Sequence, residues 1–374
     1  MSSKSDDASD VVVAPLRNRY FHSPYGRPST ANAWDVRDAS ATPEAECDYF
    51  RNVFLELERS SAVEGLTFLV TSSVRTVPIT GDDVVVLVLH DEWARNPSFS
   101  AEVLAVLKCY GSRPWFPWSA FPRPSTYAAA SLANHARVRL KGIQHTAGSY
   151  GYRRHRGRSN VHAVPLGWFK QVEVPWVQYA DRPYDASFVG SVAHDMHLGG
   201  VFKRTVKRVL GNPKMLSRRG MLHAVENLGA QQPEWVVRVE VSGDFHDVGQ
   251  DQATAYSRLM MSSKVSLAPR GTSLETFRFF EAIRFGTVPV CEPLPRRWFY
   301  DGAPVPTVRS WSELPDVLGD LLADEARQQE IHQECLTWWN GRCAPPAVAE
   351  RVDEWLRRRL DEVSKPALEG RGRG

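Results

Sequence analysis

The segment 265–291, VSLAPRGTSLETFRFFEAIRFGTVPVC, carries the residues best suited to bind an anion. A predicted strand ends just before Arg270-Gly271, and this pair forms a turn. A guanidinium can hold a diphosphate through two hydrogen bonds, and glycine lets the backbone approach the ligand closely. Thr272 or Ser273 is predicted to cap the next helix, whose free amide groups attract an anion. We therefore expect a diphosphate to bind at this turn.

Glu281, in a helix predicted at 273–285, is the second chemical clue. Its nearest sequence neighbours on both sides are apolar, and a buried carboxylate needs hydrogen-bond donors. Ribose hydroxyls would supply those donors, as they do for the acidic residue of dinucleotide-binding folds. The alternative is an ion pair with Arg278 or Arg284, each three residues away on the same helix. Glu275 joins Glu281 among the predicted ligand-binding residues.

An acidic strand end in the N-terminal half offers a general base. The run VVVLVLH at 84–90 is predicted to be a strand, and Asp91-Glu92 follow it directly. A carboxylate there could accept a hydroxyl proton, with Asp91 as the first candidate and Glu92 as the second. The alternative is that one of them caps a helix or pairs with Arg95. His145 is a further candidate base, although a lone histidine is more often structural.

Alternating strands and helices must position these residues. In the first half we predict a helix at 44–60, strands at 66–70 and 84–90, a helix at 100–110, a strand within 136–144, and a last segment at 161–167. In the second half we predict strands at 187–191, 235–241, 265–269 and 287–291, and helices at 199–210, 217–229, 251–262, 273–285 and 312–323. Unbroken apolar runs are typical of parallel strands covered on both faces. The pattern predicts an α/β fold with two parallel sheets.

The chain divides into two predicted domains, as 374 residues suggest at roughly 100–200 residues per domain. We expect a disordered tail at 1–10, an N-terminal Rossmann-like domain at 11–175, a C-terminal Rossmann-like domain at 186–345, a helix at 346–364 and a disordered tail at 365–374. The helix could cross back to the N-terminal domain. The residues between the domains are rich in proline and aromatic side chains and are interpreted as a linker.

A loop at 114–124, PWFPWSAFPRP, contains four prolines and four aromatic residues. So many prolines exclude regular secondary structure. The rings could line a pocket for a sugar or an aglycone, because aromatic rings stack on the apolar faces of sugars. They could equally pack between the two domains.

Four short motifs of the C-terminal half resemble the exostosin-type glycosyltransferases. They are Pro269-Arg270-Gly271, Phe277-Arg278-Phe279, Glu281-Ala282 and Val288-Pro289-Val290. The resemblance is strongest over 263–291 and looser from about 185 to 325. It implies the GT-B fold, in which two Rossmann-like domains face each other across a deep cleft. The N-terminal half resembles no particular member of the family.

The resemblance also implies an activity and a set of site residues. Such enzymes transfer a sugar, with inversion, from a nucleoside diphosphate sugar to a hydroxyl acceptor such as a glycan or a small glycoside. UDP is the favoured nucleotide, no metal or other cofactor is required, and the sequence has no Asp-x-Asp motif. The donor would be bound by Gly190, Ser191, Lys203, Arg204, Arg270, Gly271, Thr272, Ser273, Glu275 and Glu281. The alternative is a non-catalytic protein that binds a nucleotide sugar or a glycan on a degenerate fold of this kind.

Composition argues against several other classes of protein. The formal net charge is +3, so no overall field favours nucleic acid. Five scattered cysteines without a CxxC pair argue against a zinc module and a disulfide framework. No stretch approaches the roughly 20 apolar residues that span a bilayer, and the polar N-terminus is not a signal peptide. We expect a cytoplasmic protein without an integral membrane segment, and its oligomeric state is not indicated.

Overall fold

The computed structural model describes residues 15–364 apart from 46, 62, 119–124, 147–159, 170, 192–211 and 242–249, and apart from the side chains of 60, 141 and 143–146. The predicted helix at 199–210 and both predicted tails lie outside these residues. One sheet in each half of the chain organises the described part. The predicted α/β fold class, with a parallel sheet in each half, is confirmed.

The first sheet has six strands. They are β1 (Arg19–His22), β2 (Asn32–Ala33), β3 (Thr67–Thr71), β4 (Gly81–Val88), β5 (Val103–Lys108) and β6 (Val161–Ala163), in the order β2-β1-β3-β4-β5-β6. All neighbours are parallel except β1 and β2. Alternate side chains of β4 enter two separate clusters of buried residues, Val85 and Leu87 in one and Val84, Val86 and Val88 in the other. Burial on both faces explains the unbroken apolar run.

The second sheet has four parallel strands. They are β7 (Tyr184–Gly190), β8 (Val237–Val241), β9 (Ser263–Ala268) and β10 (Val288–Cys291), in the order β10-β9-β7-β8. Each of the four strands predicted in this half overlaps one of them. The sheet thus carries the predicted anion-binding segment at the end of β9.

Eight α-helices surround the sheets in the described part of the chain. They are α1 (Cys47–Ser60), α2 (Thr126–Thr146), α3 (Pro213–Gln231), α4 (Gln250–Met261), α5 (Phe277–Arg284), α6 (Leu314–Leu322), α7 (Glu325–Arg342) and α8 (Pro345–Ser364). In α1 the residues at helical spacing, Phe50, Val53, Phe54 and Leu57, are all buried. None of the described helices is both long and apolar enough to cross a membrane.

The predicted helix at 100–110 is wrong, because most of these residues form strand β5. All six residues of β5 are buried, and β5 pairs in parallel with β4 and β6. Periodicity cannot distinguish a short apolar run in a strand from one in a helix. The alanine, leucine, glutamate and lysine of SAEVLAVLKCY favour a helix locally, and sheet pairing overrides that preference.

The predicted strand within 136–144 is also wrong, because these residues belong to helix α2. Val138 is buried, whereas Leu140, two residues on, is 63% exposed. A half-buried strand would place both side chains on the same face. The alanine-rich stretch before them favours a helix, which continues through the apparent alternation.

Helix α8 connects the end of the chain to the first half of the structure. The Ser61 hydroxyl donates to the Asp353 carboxylate, and the Trp355 ring stacks on His162 with centroids 4.5 Å apart. The Nε of Arg359 donates to the Leu104 carbonyl of β5 at 3.3 Å. These contacts hold α8 against α1 and the first sheet. The boundaries of the two domains stay predictions.

Candidate active site

A cavity lies between the carboxyl ends of strands from the two sheets. Glu92 lines it after β4 and Trp115 after β5, while Arg270 lines it after β9 and Arg297 after β10. In open parallel sheets, ligands bind beyond the carboxyl ends of the strands. The structure therefore brings the predicted anion-binding turn and the predicted acidic strand end to one cavity.

Arg270 brings a buried positive charge to this cavity. Its guanidinium donates to the Thr272 carbonyl at 3.2 Å and to the Ser131 hydroxyl, on helix α2 of the other half, at 3.4 Å. Its Nε is buried and has no hydrogen-bond partner. Both acceptors are uncharged, and a buried donor without a partner is costly. The arrangement suits an anionic ligand.

Glu292, directly after β10, fixes the Arg270 turn. Its Oε2 accepts from the Arg270 backbone N–H at 3.0 Å and from the Ser217 hydroxyl at 2.9 Å, and its Oε1 accepts from the Tyr127 hydroxyl. The carboxylate is buried, so these three donors replace water. Glu292 was not among the predicted site residues. The signal that could have revealed it is its position after a buried strand, as at the acidic end of β4.

Three further cations, none predicted as such from the sequence, lie close enough to one another to interact electrostatically. They are Lys214 and Arg218 of α3 and Arg278 of α5. Arg218 and Arg278 are buried, and each has an Nε without a hydrogen-bond partner. Burial and the charge of Arg278 lower the pKa of Arg218 to about 9, and burial and the charge of Arg218 lower the pKa of Lys214. We refer to these three residues and Arg270 as the cation cluster.

The end of strand β7 holds two members of the cation cluster in place. Arg278 donates to the Val189 carbonyl, and Arg218 donates to the carbonyl and the hydroxyl of Ser191. A β-carbon at Gly190 would lie only 2.5 Å from a guanidinium nitrogen of Arg278, so a larger residue there would displace that guanidinium. The predicted phosphate-binding residues Gly190 and Ser191 therefore lie beside the cations.

The helix after the Arg270 turn begins later than predicted. Helix α5 starts after Thr276, which makes no side-chain capping hydrogen bond, so the prediction that Thr272 or Ser273 caps this helix is wrong. Residues 272–275 instead line the cavity, and the buried Glu275 forms an ion pair with Arg297 at 2.6 Å. At this turn the positive charge therefore comes from the Arg270 guanidinium and not from the first amides of α5.

Asp91 is a buried ion-pair partner. Its Oδ2 lies 2.8 Å from the Nζ of Lys108, which is wholly buried, and its Oδ1 lies 2.8 Å from the Nε of Arg95. Burial acts to raise the pKa of Asp91, but the charges of Lys108 and Arg95 outweigh it and lower that pKa. Asp91 fits the alternative given to it from the sequence, an ion pair with Arg95. A carboxylate held by two cations is a poor proton acceptor, so Glu92 becomes the first candidate base and Asp91 the second.

Glu92, the second candidate from the sequence, is a carboxylate that faces the cavity. Burial raises its pKa above the usual glutamate value, although a hydrogen bond with the Thr272 side chain and the charges of the neighbouring cations act to lower it. Its Oε1 would lie 3.5 Å from a β-carbon on Gly271. The acidic strand end of the first half thus lies against the anion-binding turn of the second.

Three predicted site residues cannot be placed within the described part of the chain. Lys203 and Arg204 fall in 192–211, and the side chain of His145, near the end of α2, is not described.

All five cysteines are buried free thiols, as expected from their spacing. In the ranges that the structure describes, no group of three or more His, Cys, Asp or Glu side chains is arranged to hold a metal ion.

Glu281 has protein partners for both of its carboxylate oxygens. Oε1 accepts from the Phe169 backbone N–H at 2.8 Å, and Oε2 accepts from the Tyr256 hydroxyl at 2.6 Å. These donors are neither ribose hydroxyls nor the two arginines that the sequence offered as alternatives. The buried carboxylate needs hydrogen-bond donors, and residues distant in the sequence supply them. The carboxylate fastens the connection between the two halves to helices α4 and α5, and burial raises its pKa to about 7.

Glu281→Gln is expected to change how stability depends on pH, and to leave the affinity for the predicted ligand UDP within about threefold. A carboxyl whose pKa is raised on folding stabilises the protein below the unfolded value, and this stability is lost as the pH rises through the folded value. The shift from 4.5 to about 7 corresponds to roughly 3 kcal/mol, which wild type loses between pH 5 and 8 and the variant does not. Urea unfolding of both proteins at pH 5 and 8 measures this difference. A folded variant with tenfold weaker UDP binding would restore the ribose role.

Comparison with known proteins places the chain beside glycosyltransferases. Residues 168–342 match the family model described as the RXYLT1 C-terminal domain. Over 177 residues the chain is 25% identical to ribitol-5-phosphate xylosyltransferase 1 of Danio rerio, an alignment that covers 43% of this chain and 35% of the relative. The aligned region is thus about a third of the length of this curated relative. The relative's name is that of a glycosyltransferase, which agrees with the predicted enzyme class. The matched family is not named exostosin, so membership of that family stays a prediction.

Two solved structures share features of the fold at low similarity. The GtfA/B complex is 13% identical with a TM-score of 0.40, and the match covers 76% of this chain and 58% of the other. The pneumococcal O-GlcNAc transferase GtfA in complex with UDP and GlcNAc is 11% identical with a TM-score of 0.37, and the match covers 75% and 58%. Similarity of this size is too low to transfer site residues.

Proposed function

We propose that the chain is an inverting glycosyltransferase that moves a sugar from a nucleoside diphosphate sugar, with UDP as the nucleotide, to a hydroxyl acceptor. One observation carries the proposal. Three buried guanidinium groups have unpartnered Nε atoms, those of Arg218, Arg270 and Arg278. Arg218 and Arg270 interact with the half-buried carboxylate of Glu92 from the facing half of the chain, and Arg278 interacts with Arg218. The family match covers the half of the chain that contributes the cations.

The cation cluster has the charge that a donor diphosphate requires. The two phosphates of a nucleotide sugar carry two negative charges, and the departing nucleoside diphosphate gains a further charge as the glycosidic bond breaks. Fixed cations in a site that excludes water stabilise developing charge strongly. Guanidinium groups can therefore do what a divalent cation does in other transferases, which supports chemistry without a metal.

Glu92 is the residue we assign as the general base. Its carboxylate would take the proton of the acceptor hydroxyl as the acceptor oxygen bonds to the anomeric carbon of the donor. The bond from that carbon to the diphosphate oxygen breaks in the same step, and its electron pair leaves with UDP. Glu92 and Arg270 line the cavity from opposite halves of the chain, which suits attack from the face opposite the leaving group. A single displacement of this kind inverts the anomeric configuration.

Thermal stabilisation by UDP and UDP-sugars, with EDTA present throughout, tests the proposal. A ligand at about 100 times its Kd stabilises the folded state by about 2.7 kcal/mol. We expect UDP to raise the melting temperature, and uridine at equal concentration to have little effect because it lacks the phosphates. The donor panel includes UDP-xylose, since the relative in Danio rerio is named as a xylosyltransferase.

Arg270→Gln is the matched variant for this experiment, because it removes a charge that faces the cavity and keeps a hydrogen-bonding side chain. It is expected to weaken UDP binding by about tenfold or more, the size of one charge-assisted contact. Absence of stabilisation by every nucleoside diphosphate and nucleotide sugar would refute the proposal. Stabilisation by UDP-sugars, without donor hydrolysis or transfer to any acceptor, would favour the non-catalytic alternative.

A further inference from the structure

We propose that the wall of the cavity built by the N-terminal half is an acceptor subsite for a cyclic sugar, with the Trp115 ring as the platform on which the sugar stacks. The proposal rests on the proposed glycosyltransferase activity and names the chemical class of its acceptor. Trp115 belongs to the loop at 114–124, whose aromatic residues could, from the sequence, either line a sugar pocket or pack between the domains. The structure favours the first role for Trp115.

Among the described Trp, Tyr and Phe residues that line this wall, Trp115 is the one that is not buried. Tyr110 and Phe116, which also line the cavity, are 4% and 9% exposed and support the wall from within. Trp115 is half-buried and lines the cavity between Pro114 and Phe116. The face of an indole ring is apolar and carries negative electrostatic potential, so it attracts the axial C–H groups on one face of a sugar ring. A flexible linear polyol presents no comparable face.

Helix α2 holds the platform in position. His135 forms a hydrogen bond with the Trp115 backbone, and its ring centroid lies 5.2 Å from that of Phe116. Phe116 also packs edge-to-face against Trp118, with centroids 4.6 Å apart. Because these contacts hold the loop backbone that carries Trp115, little backbone freedom is lost when a ligand stacks on the ring.

The position of Trp115 assigns it to the acceptor and not to the donor. The cation cluster that would bind the donor diphosphate belongs to the C-terminal half, whereas Trp115 belongs to the same half as Glu92. The base must contact the acceptor hydroxyl, so the acceptor must approach along the N-terminal wall. Arg113 and Asn134 line the cavity beside Trp115 and can hydrogen-bond sugar hydroxyls. The wall therefore combines a stacking face with polar groups around it.

Trp115→Ala, compared with Trp118→Ala, tests the subsite. Trp118 lies three residues further along the same loop, is 69% exposed and contacts Phe116 but does not line the cavity, so it is the matched control for loss of packing in the loop. The probes are methyl pyranosides as cyclic acceptors, and ribitol and glycerol 3-phosphate as linear ones, each offered with the UDP-sugar that the wild type hydrolyses. We expect transfer to a pyranoside, a rise in its KM of at least about tenfold in Trp115→Ala, and unchanged UDP affinity. Trp118→Ala should match the wild type, and Trp115→Tyr, which keeps a ring, should recover part of the loss.

The outcomes separate this proposal from the proposed function. If wild type neither binds UDP nor hydrolyses any UDP-sugar, the proposed function fails, and this inference fails with it. If UDP binds and the linear probes are the better acceptors, the cyclic-sugar subsite is overturned while the activity stands. A loss of UDP affinity in folded Trp115→Ala, equal to its loss in transfer, would assign the ring to the donor and overturn the proposal. Equal effects of the two tryptophan variants would overturn it as well.

Discussion

Glu92→Gln is expected to lower kcat for sugar transfer by about 10²- to 10⁴-fold, the usual contribution of general base catalysis. The substitution keeps the shape and the hydrogen-bonding capacity of the side chain and removes its ability to accept a proton. Affinity for UDP should stay the same or increase, because a negative charge that interacts with Lys214, Arg218 and Arg270 is removed. Single-turnover transfer rates and UDP titrations on the same preparation measure both quantities.

The pH dependence of wild type checks the same assignment. Burial raises the pKa of Glu92, so the carboxylate is ionised, and able to act as a base, only above the usual glutamate range. The rate should therefore rise with pH through a single ionisation above about 4.5, and bound donor phosphates should move that ionisation upward. In Glu92→Gln the rate should no longer rise with pH through this ionisation. Undiminished transfer by the variant would show that the base lies elsewhere, with Asp91 and His145 as the next candidates.

Local patterns predicted much of the fold, and non-local contacts explain where they failed. Strand β4 is recognisable because its apolar run is long and ends at polar residues, and strand β9 because a glycine-containing turn follows it. Strand β5 is not recognisable in this way, because SAEVLAVLKCY is rich in residues that favour a helix and its apolar run ends in Lys108, a residue that is usually exposed. What buries Lys108 is Asp91, which follows the neighbouring strand. No local pattern in the sequence reveals that pair.

The same distinction between local patterns and non-local contacts applies to the residues of the candidate site. Arg270 and Glu92 were predicted because each directly follows a strand, where parallel sheets place their ligands. Arg218 was not predicted, because it reaches the site from the side of helix α3, and the end of β7 orients it. For Glu281 the sequence showed the need for hydrogen-bond donors, but Tyr256 and Phe169 are brought to it only by folding.

Lys108→Met is expected to destabilise the protein by about 3–5 kcal/mol, the range for removing one partner of a buried ion pair. Lys108 is fully buried, and the variant leaves Asp91 with Arg95 as the cation that contacts it in the described structure. The loop after β4 should loosen too, because His90 and Ala94 have positive φ angles of 56° and 47° that the surrounding contacts must maintain. Urea unfolding at pH 7 gives the change in the free energy of unfolding.

Lys264→Met is the matched control, since it makes the same substitution in the other sheet. Lys264 pairs with Asp185 at 3.0 Å, but both side chains remain about 20% exposed, so the expected loss is about 1 kcal/mol or less.

The loss of stability caused by Lys108→Met should also depend on pH. The cations lower the pKa of Asp91, so the stability that the pair contributes is present above the unfolded value of 3.8 and is lost as the pH falls through the folded value. The difference between wild type and Lys108→Met should therefore narrow towards acid pH. A loss at Lys108 no larger than that at Lys264 would mean that the buried pair does not anchor the loop that carries Glu92.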